Sequence, residues 1–140
     1  MQEAFHRIKV FPFQVMGRAP RYLLLRPDQE LEGLWGPVQG EVGFGDQMEQ
    51  AARRCIVQDV GVHPPGSLLD LQWATRTQFG DELIIEWCYG YQCHGEPDPT
   101  VLSLHWAEHR WADFGDAYQS LEMQSDRSAM LRLHAMIQAA

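Results

Sequence analysis

The stretch Gly40-Glu41-Val42-Gly43-Phe44-Gly45-Asp46-Gln47-Met48-Glu49-Gln50-Ala51-Ala52-Arg53-Arg54-Cys55-Ile56-Val57-Gln58-Asp59-Val60-Gly61-Val62 decides the fold, because it holds a glycine-punctuated loop, a helix start and a helix stop in that order. The glycines of the loop permit backbone angles that other residues avoid. Asp46-Gln47-Met48-Glu49 has the D-x-x-E form of a capping box, and Gly61 stands where a left-handed C-terminal cap belongs, so a helix is predicted over about 46–60. On a helical wheel Met48, Ala52, Cys55 and Ile56 form the apolar face. Asp59 projects into the middle of that face, Gln58 lies at its edge and Arg54 just outside it. An ionised carboxylate on a core-facing stripe has to be paired, bind a cation or face a cleft.

Working outward, Ile8 to Met16 and Arg21 to Arg26 read as two strands of a hairpin around Gly17-Arg18-Ala19-Pro20. Glu32 to Gly40 reads as a short strand or extended loop. Beyond the helix, His63-Pro64-Pro65-Gly66 breaks the chain. Leu68 to Phe79 and Glu82 to Cys93 then form two long strands joined at Gly80-Asp81, rich in β-branched and aromatic residues. His94 to Pro99 is turn-rich, Leu102 to Ala112 is predicted as a last strand, and Phe114 to Leu121 as a short helix. From about Ser125 a terminal helix places Met130, Leu133, Met136 and Ile137 on one stripe. Strands, one helix, strands and then helices imply a mixed sheet with helices packed on it.

The chain has 140 residues, 45% of them hydrophobic, which suits one domain over 1–140 with its own core. A formal charge of −8 argues against a nucleic-acid polymer or an anionic membrane as partner, since both are bound through clustered Lys and Arg. A nucleotide partner is therefore expected to be a small molecule. Cys55, Cys88 and Cys93 have neither a CxxC nor a Cys/His ligand spacing, which fits a reducing compartment; with no apolar membrane-length run and no signal layout in Met1 to Val10, the expectation is a cytoplasmic protein.

The residues Gly40, Asp46, Arg54, Cys55, Ile56, Gln58, Asp59, Gly61 and Val62 fall, without insertion, on the pattern of the Nudix box. In that pattern a glycine is followed by a glutamate, an Arg-Glu pair, a Glu-Glu pair and a glycine. Leu34-Trp35-Gly36-Pro37-Val38-Gln39-Gly40 is similar to the family's approach to the box. Glu108-His109-Arg110-Trp111, followed by Phe114-Gly115-Asp116-Ala117, is similar to its later Glu, Trp and short helix. The resemblance implies a Nudix-type α/β/α sandwich with a mixed β-sheet. It also implies hydrolysis, with Mg²⁺ or Mn²⁺, of a nucleoside diphosphate linked to another group, by attack of water on phosphorus. Asp59, Glu108 and Arg54 become the candidate catalytic residues; Asp59, Gln58 and Asp46 the metal ligands; Trp35, Gly40 and Phe44 the substrate contacts.

The departures weigh against that chemistry. Where the family has metal-binding glutamates this chain has Cys55, Gln58 and Asp59. Mg²⁺ is a hard ion that takes oxygen ligands, whereas Cys55 offers a soft and ordinarily protonated sulfur, and Gln58 an uncharged oxygen. Asp59 keeps its charge on a shorter arm. Weak activity is the expectation, and two alternatives stay open: a catalytically inactive Nudix fold that senses a nucleotide or metabolite, or a scaffold. Other roles compete residue by residue. Asp46 serves as a helix cap, Arg54 braces the loop, Cys55 is a small buried hydrophobe, and Glu108 is either a water-orienting base or a solvated strand-end acid. A homodimer is compatible with the sequence.

Overall fold

A computed structural model describes residues 3–17, 19–27, 34–63 and 66–139. Six strands and four helices follow one another as β1 (Glu3–Met16), β2 (Ala19–Arg26), β3 (Val38–Glu41), α1 (Met48–Asp59), β4 (Gly66–Phe79), β5 (Glu82–Cys93), α2 (Pro99–His105), β6 (Glu108–Ala112), α3 (Phe114–Ser120) and α4 (Gln124–Ala139). Arg18 of the expected first turn, Glu32 and Gly33 of the expected third strand, and Pro64 and Pro65 of the expected break lie outside the described residues.

Strand β1 is the centre of the sheet, whose order is β4-β5-β1-β2-β6. It runs parallel to β5 and antiparallel to β2, so the sheet is mixed. The β1–β2 pairing covers Phe13 to Met16. Below it the two strands separate, and β3 fills the gap by pairing with Arg7 to Val10, while Gly36 bridges to Leu25. This insertion carries Trp35, Gly36 and Gln39 to one end of the sheet.

Side chains of β1 alternate between two cores, as the period of a strand requires. Ile8 and Val10 pack with Ala51, Ala52, Cys55 and Ile56 of α1 and with Leu102 of α2. Phe11 and Phe13 pack on the opposite face with Ala117 of α3 and with Ala129, Met130 and Leu133 of α4. The result is the α/β/α sandwich expected from the sequence, with a mixed sheet between two helical layers.

Three local departures have physical causes. Leu102 to His105, expected as strand, is helical: the Asp98 carboxylate accepts from the Thr100 N–H at 2.9 Å and Pro99 occupies the first turn, a start signal that outweighs the β-branched content around it. Strand β1 begins at Glu3 instead of Ile8 because parallel pairing with β5 starts at Glu3↔Glu82. In β4 the register slips between Asp70 and Trp73. Gln72 there takes φ 51° and donates its N–H to the Asp70 carboxylate at 2.8 Å, and Leu71 turns into the second core.

Gly61 ends α1 as predicted, with φ +74° and its N–H donated to Ile56 O at 3.0 Å. A Cβ there would meet Cβ of Asp98 at 2.6 Å and Val101 at 3.0 Å, so conformation and space both exclude it. Gly61→Ala is accordingly expected to lower stability by about 2–3 kcal/mol, from left-handed backbone strain plus overpacking against α2. Urea unfolding of the two proteins measures this, and a difference below the error of the midpoint would show that the cap does not hold α1 against α2.

Candidate functional site

The loop before α1 is held by one carboxylate. Asp46 accepts the Gly43 N–H at 2.9 Å and faces the Arg54 guanidinium at 3.3 Å, and these two contacts, the Gly43 bond foremost, hold its pKa below the usual carboxylate value. The expected capping box is not formed. Gln47 is the N-cap and makes no side-chain cap bond, because the loop, turning through Gly45 at φ +85°, folds Asp46 back onto Gly43 instead of forward onto the helix. Arg54 thus braces the loop.

On the next turns of α1 the three box positions diverge. Cys55 is 8% exposed, and a Cβ on Gly40 would lie 2.3 Å from its Sγ, so the sulfur occupies the space above a strand residue that has no side chain. Burial pushes the thiol's pKa up from its ordinary value, which leaves it protonated at neutral pH. Gln58 is exposed to solvent. Asp59 is half-buried; burial raises its pKa, and His105, whose Nδ1 is 3.9 Å from Oδ1, partly opposes the shift. The Trp106 indole donates to the Asp59 carbonyl at 2.8 Å, so the end of α2 clamps the end of α1.

These residues do not fit a divalent cation. A protonated sulfur facing Gly40 offers no oxygen, Gln58 no charge, and Asp59 a single carboxylate with a histidine beside it. Among the described residues no group of three or more His, Cys, Asp or Glu side chains is placed to hold a metal ion. Asp46 is already engaged with Gly43 and Arg54. Glu108 opens β6 on the far side of β2, half-exposed, in an ion pair with Arg26.

Two cavities flank the sheet near the box. The larger, about 890 Å³, lies against the start of β1 and the Gly43 to Asp46 loop, with Phe44 fully exposed on its rim. The other, about 340 Å³, is lined by Trp35, Gly36, Gln39, Trp106, Met123 and Asp126, together with Pro27, Leu34 and Pro37. Trp35 and Phe44 therefore belong to different cavities, and Gly40 lies in β3 beneath Cys55, in the lining of neither. The guanidinium groups of Arg26 and Arg110 lie 5.5 and 5.3 Å from the Trp35 ring centroid, holding the indole and bringing positive charge to it.

Sequence reasoning missed Asp126, whose side chain forms part of this second wall. It is 2% exposed and accepts from Lys9 Nζ at 2.7 Å; Glu86 lies 3.7 Å from the same ammonium. One signal was present. Lys9 interrupts the apolar run Ile8-Lys9-Val10-Phe11 in a strand buried on both faces, and such a charge demands a partner.

With this geometry in view, comparison with known proteins shows the fold. A Listeria monocytogenes protein described as a Nudix hydrolase superposes with a TM-score of 0.83 at 18% identity, over 96% of this chain and 94% of that one. The Nudix domain of Shewanella oneidensis NrtR complexed with ADP ribose gives 0.75 at 14% identity, over 98% and 90%. The Escherichia coli dihydroneopterin triphosphate pyrophosphohydrolase gives 0.75 at 19%, over 96% of each chain. No family model matches the sequence. An octanoyltransferase of Myxococcus xanthus is 31% identical over 127 residues, 86% of this chain but 35% of that protein, so the chain spans about a third of the length of the curated relative it matches.

Asp59 yields a test of the site's electrostatics. A carboxyl whose folded pKa is raised binds its proton more tightly folded than unfolded, so its contribution to stability is present below the ordinary value of about 3.9 and is lost as pH rises through the folded value. Asp59→Asn removes that loss. The variant is expected to melt a degree or two above the parent at neutral pH, with the gain fading as pH falls toward 3. Melting curves across that range check this; a variant that is less stable at neutral pH would mean that the Asp59 charge is used in the folded protein.

Proposed function

We propose that this Nudix fold binds a small nucleoside diphosphate derivative without divalent metal and without appreciable hydrolysis. The observation that carries the reading is Cys55 packed over Gly40: the box helix meets β3 through a buried thiol where metal chemistry needs carboxylates. Phosphorus-directed water attack has no group to drive it here. Asp59 is backed by His105, and Glu108, the other acid with a candidate catalytic role, is paired with Arg26.

Binding itself needs less. The cavity beside Trp35 is near the lower end of the range for small-molecule sites, roomy enough for a ring with part of a sugar. Trp35 and Trp106 wall it together with Leu34, Met123 and prolines, and Gln39 and Asp126 are its polar side chains. Arg110, stacked on Trp35 beside the cavity, supplies a cation that a diphosphate would seek, while Arg26 on the same ring is already paired with Glu108; a guanidinium group suits phosphate oxygens geometrically. Support also comes from the neighbours' own ligands: the NrtR domain is complexed with ADP ribose, and another chain of this fold, with a TM-score of 0.75, is an Ap4A hydrolase of Caenorhabditis elegans. A sensor or a recruiting domain is the kind of protein this reading describes.

Calorimetry and melting curves with ADP-ribose and related nucleotides, each in EDTA and in millimolar Mg²⁺ or Mn²⁺, test it. A ligand at a hundred times its Kd is expected to stabilise the fold by about 2.7 kcal/mol, equally with and without metal. Intact nucleotide should be recovered after incubation. Metal-dependent turnover approaching the typical enzyme value of about 10 s⁻¹ would overturn the reading and require ligands outside the box.

A further inference from the structure

We infer that Asp126 selects the ring of the bound ligand, favouring one that presents a ring N–H beside an exocyclic amine, the edge of guanine. This inference rests on the binding reading above and extends it from a ligand class to a ring chemistry. Asp126 stands in the first turn of α4, almost wholly buried, and lines the pocket beside Trp35. Its two oxygens have different fates. Oδ1 takes the Lys9 ammonium at 2.7 Å. Oδ2 has no hydrogen bond with any described residue, and it lies 3.5 Å from where a Cβ on Gly36 would stand, so the glycine leaves the approach to it clear.

An ionised carboxylate accepts hydrogen bonds and donates none. Lys9 takes Oδ1, and Oδ2 stands beside Gly36, which with Asp126 lines a cavity walled by Trp35, Trp106 and Met123. A ligand that sets donors against this acceptor gains a hydrogen bond to a charged group, and one that leaves it unpaired forfeits that bond. Rings differ in what they offer. Guanine sets a ring N–H and an amine side by side, so two donors meet the carboxylate. Adenine and cytosine place an amine next to a ring acceptor that would repel it. Uracil has one N–H flanked by two carbonyl oxygens, which face the carboxylate with like partial charge. Gln39 lines the same pocket and carries amide donors suited to guanine's carbonyl.

The experiment is calorimetry in EDTA with GDP, ADP and UDP on the parent, Asp126→Asn and Gly36→Ala. In the parent, GDP is expected to bind roughly tenfold or more tightly than the other two, since a site built around a hydrogen-bond acceptor rejects ligands that leave it unpaired. Asp126→Asn should bring the three affinities together. Because that change leaves Lys9 with only Glu86 at 3.7 Å among the described residues, it weakens folding as well. Gly36→Ala keeps both charges and sets a methyl at ordinary contact distance from Oδ2; it should fold normally and lose about tenfold in GDP affinity. Equal binding of the three nucleotides by the parent would overturn the assignment of ring class while leaving the binding reading intact. No binding by any of them would overturn both. A GDP preference that survives in both variants would place the selecting group elsewhere.

Discussion

Lys9 carries a charge on a strand whose two faces are both buried, and it finds an acceptor under α4. Its neighbours Ile8 and Val10 fill the core shared with α1, and Phe11 and Phe13 fill the core shared with α4, so the ammonium emerges among apolar residues. Asp126 meets it at 2.7 Å, with Glu86 close by. Desolvating two such charges costs several kcal/mol each, and their attraction roughly offsets that cost, so the pair adds little net stability. What it contributes is position. Breaking it would strand a buried charge, and keeping it ties the first turn of α4 to the middle of β1, so the pocket wall formed by Asp126, Trp35 and Gln39 follows from this contact.

On the other face of the sheet the corresponding constraint is steric. Gly40 has no side chain, and Cys55 uses the space. A metal-binding acid at this place would have to turn its carboxylate toward solvent and a neighbouring acid, whereas a thiol can sink into the interface between α1 and β3. The same helix still orders the preceding loop, since Arg54 reaches Asp46 and Asp46 holds Gly43. Loop geometry is therefore set without a metal: Arg54, Asp46 and Gly43 hold the loop with protein contacts alone. Trp106 and His105 pack on the end of α1, Trp106 holding the Asp59 carbonyl and His105 lying 3.9 Å from its carboxylate.

Much of the architecture was legible because its signals are local. A glycine at the end of an apolar helical stripe, two long β-branched runs joined by Gly80-Asp81, and the apolar stripe from Met130 to Ile137 each act within a few residues, and the structure has α1, β4, β5 and α4 where they indicate. Local signals failed where two competed. Asp98-Pro99 opened a helix inside a segment whose composition favours a strand, and the D-x-x-E sequence lost its aspartate to Gly43, because a loop with free backbone angles can bring an amide to the carboxylate before the helix does.

By itself the sequence determined the chemical identity of the box: Cys55, Gln58 and Asp59 cannot supply the charge of three glutamates in any conformation, since that is a property of functional groups. It also determined the order of strands and helices, through period-two and period-3.6 patterns and their stop residues. Tertiary structure alone decided which cavity each candidate entered, separating Trp35 from Phe44, setting Glu108 against Arg26 and bringing Asp126 to Lys9 across 117 residues of chain. Contacts at that separation leave no periodic trace in the sequence. They are fixed only when the packing of two cores on one strand sets which side chains meet.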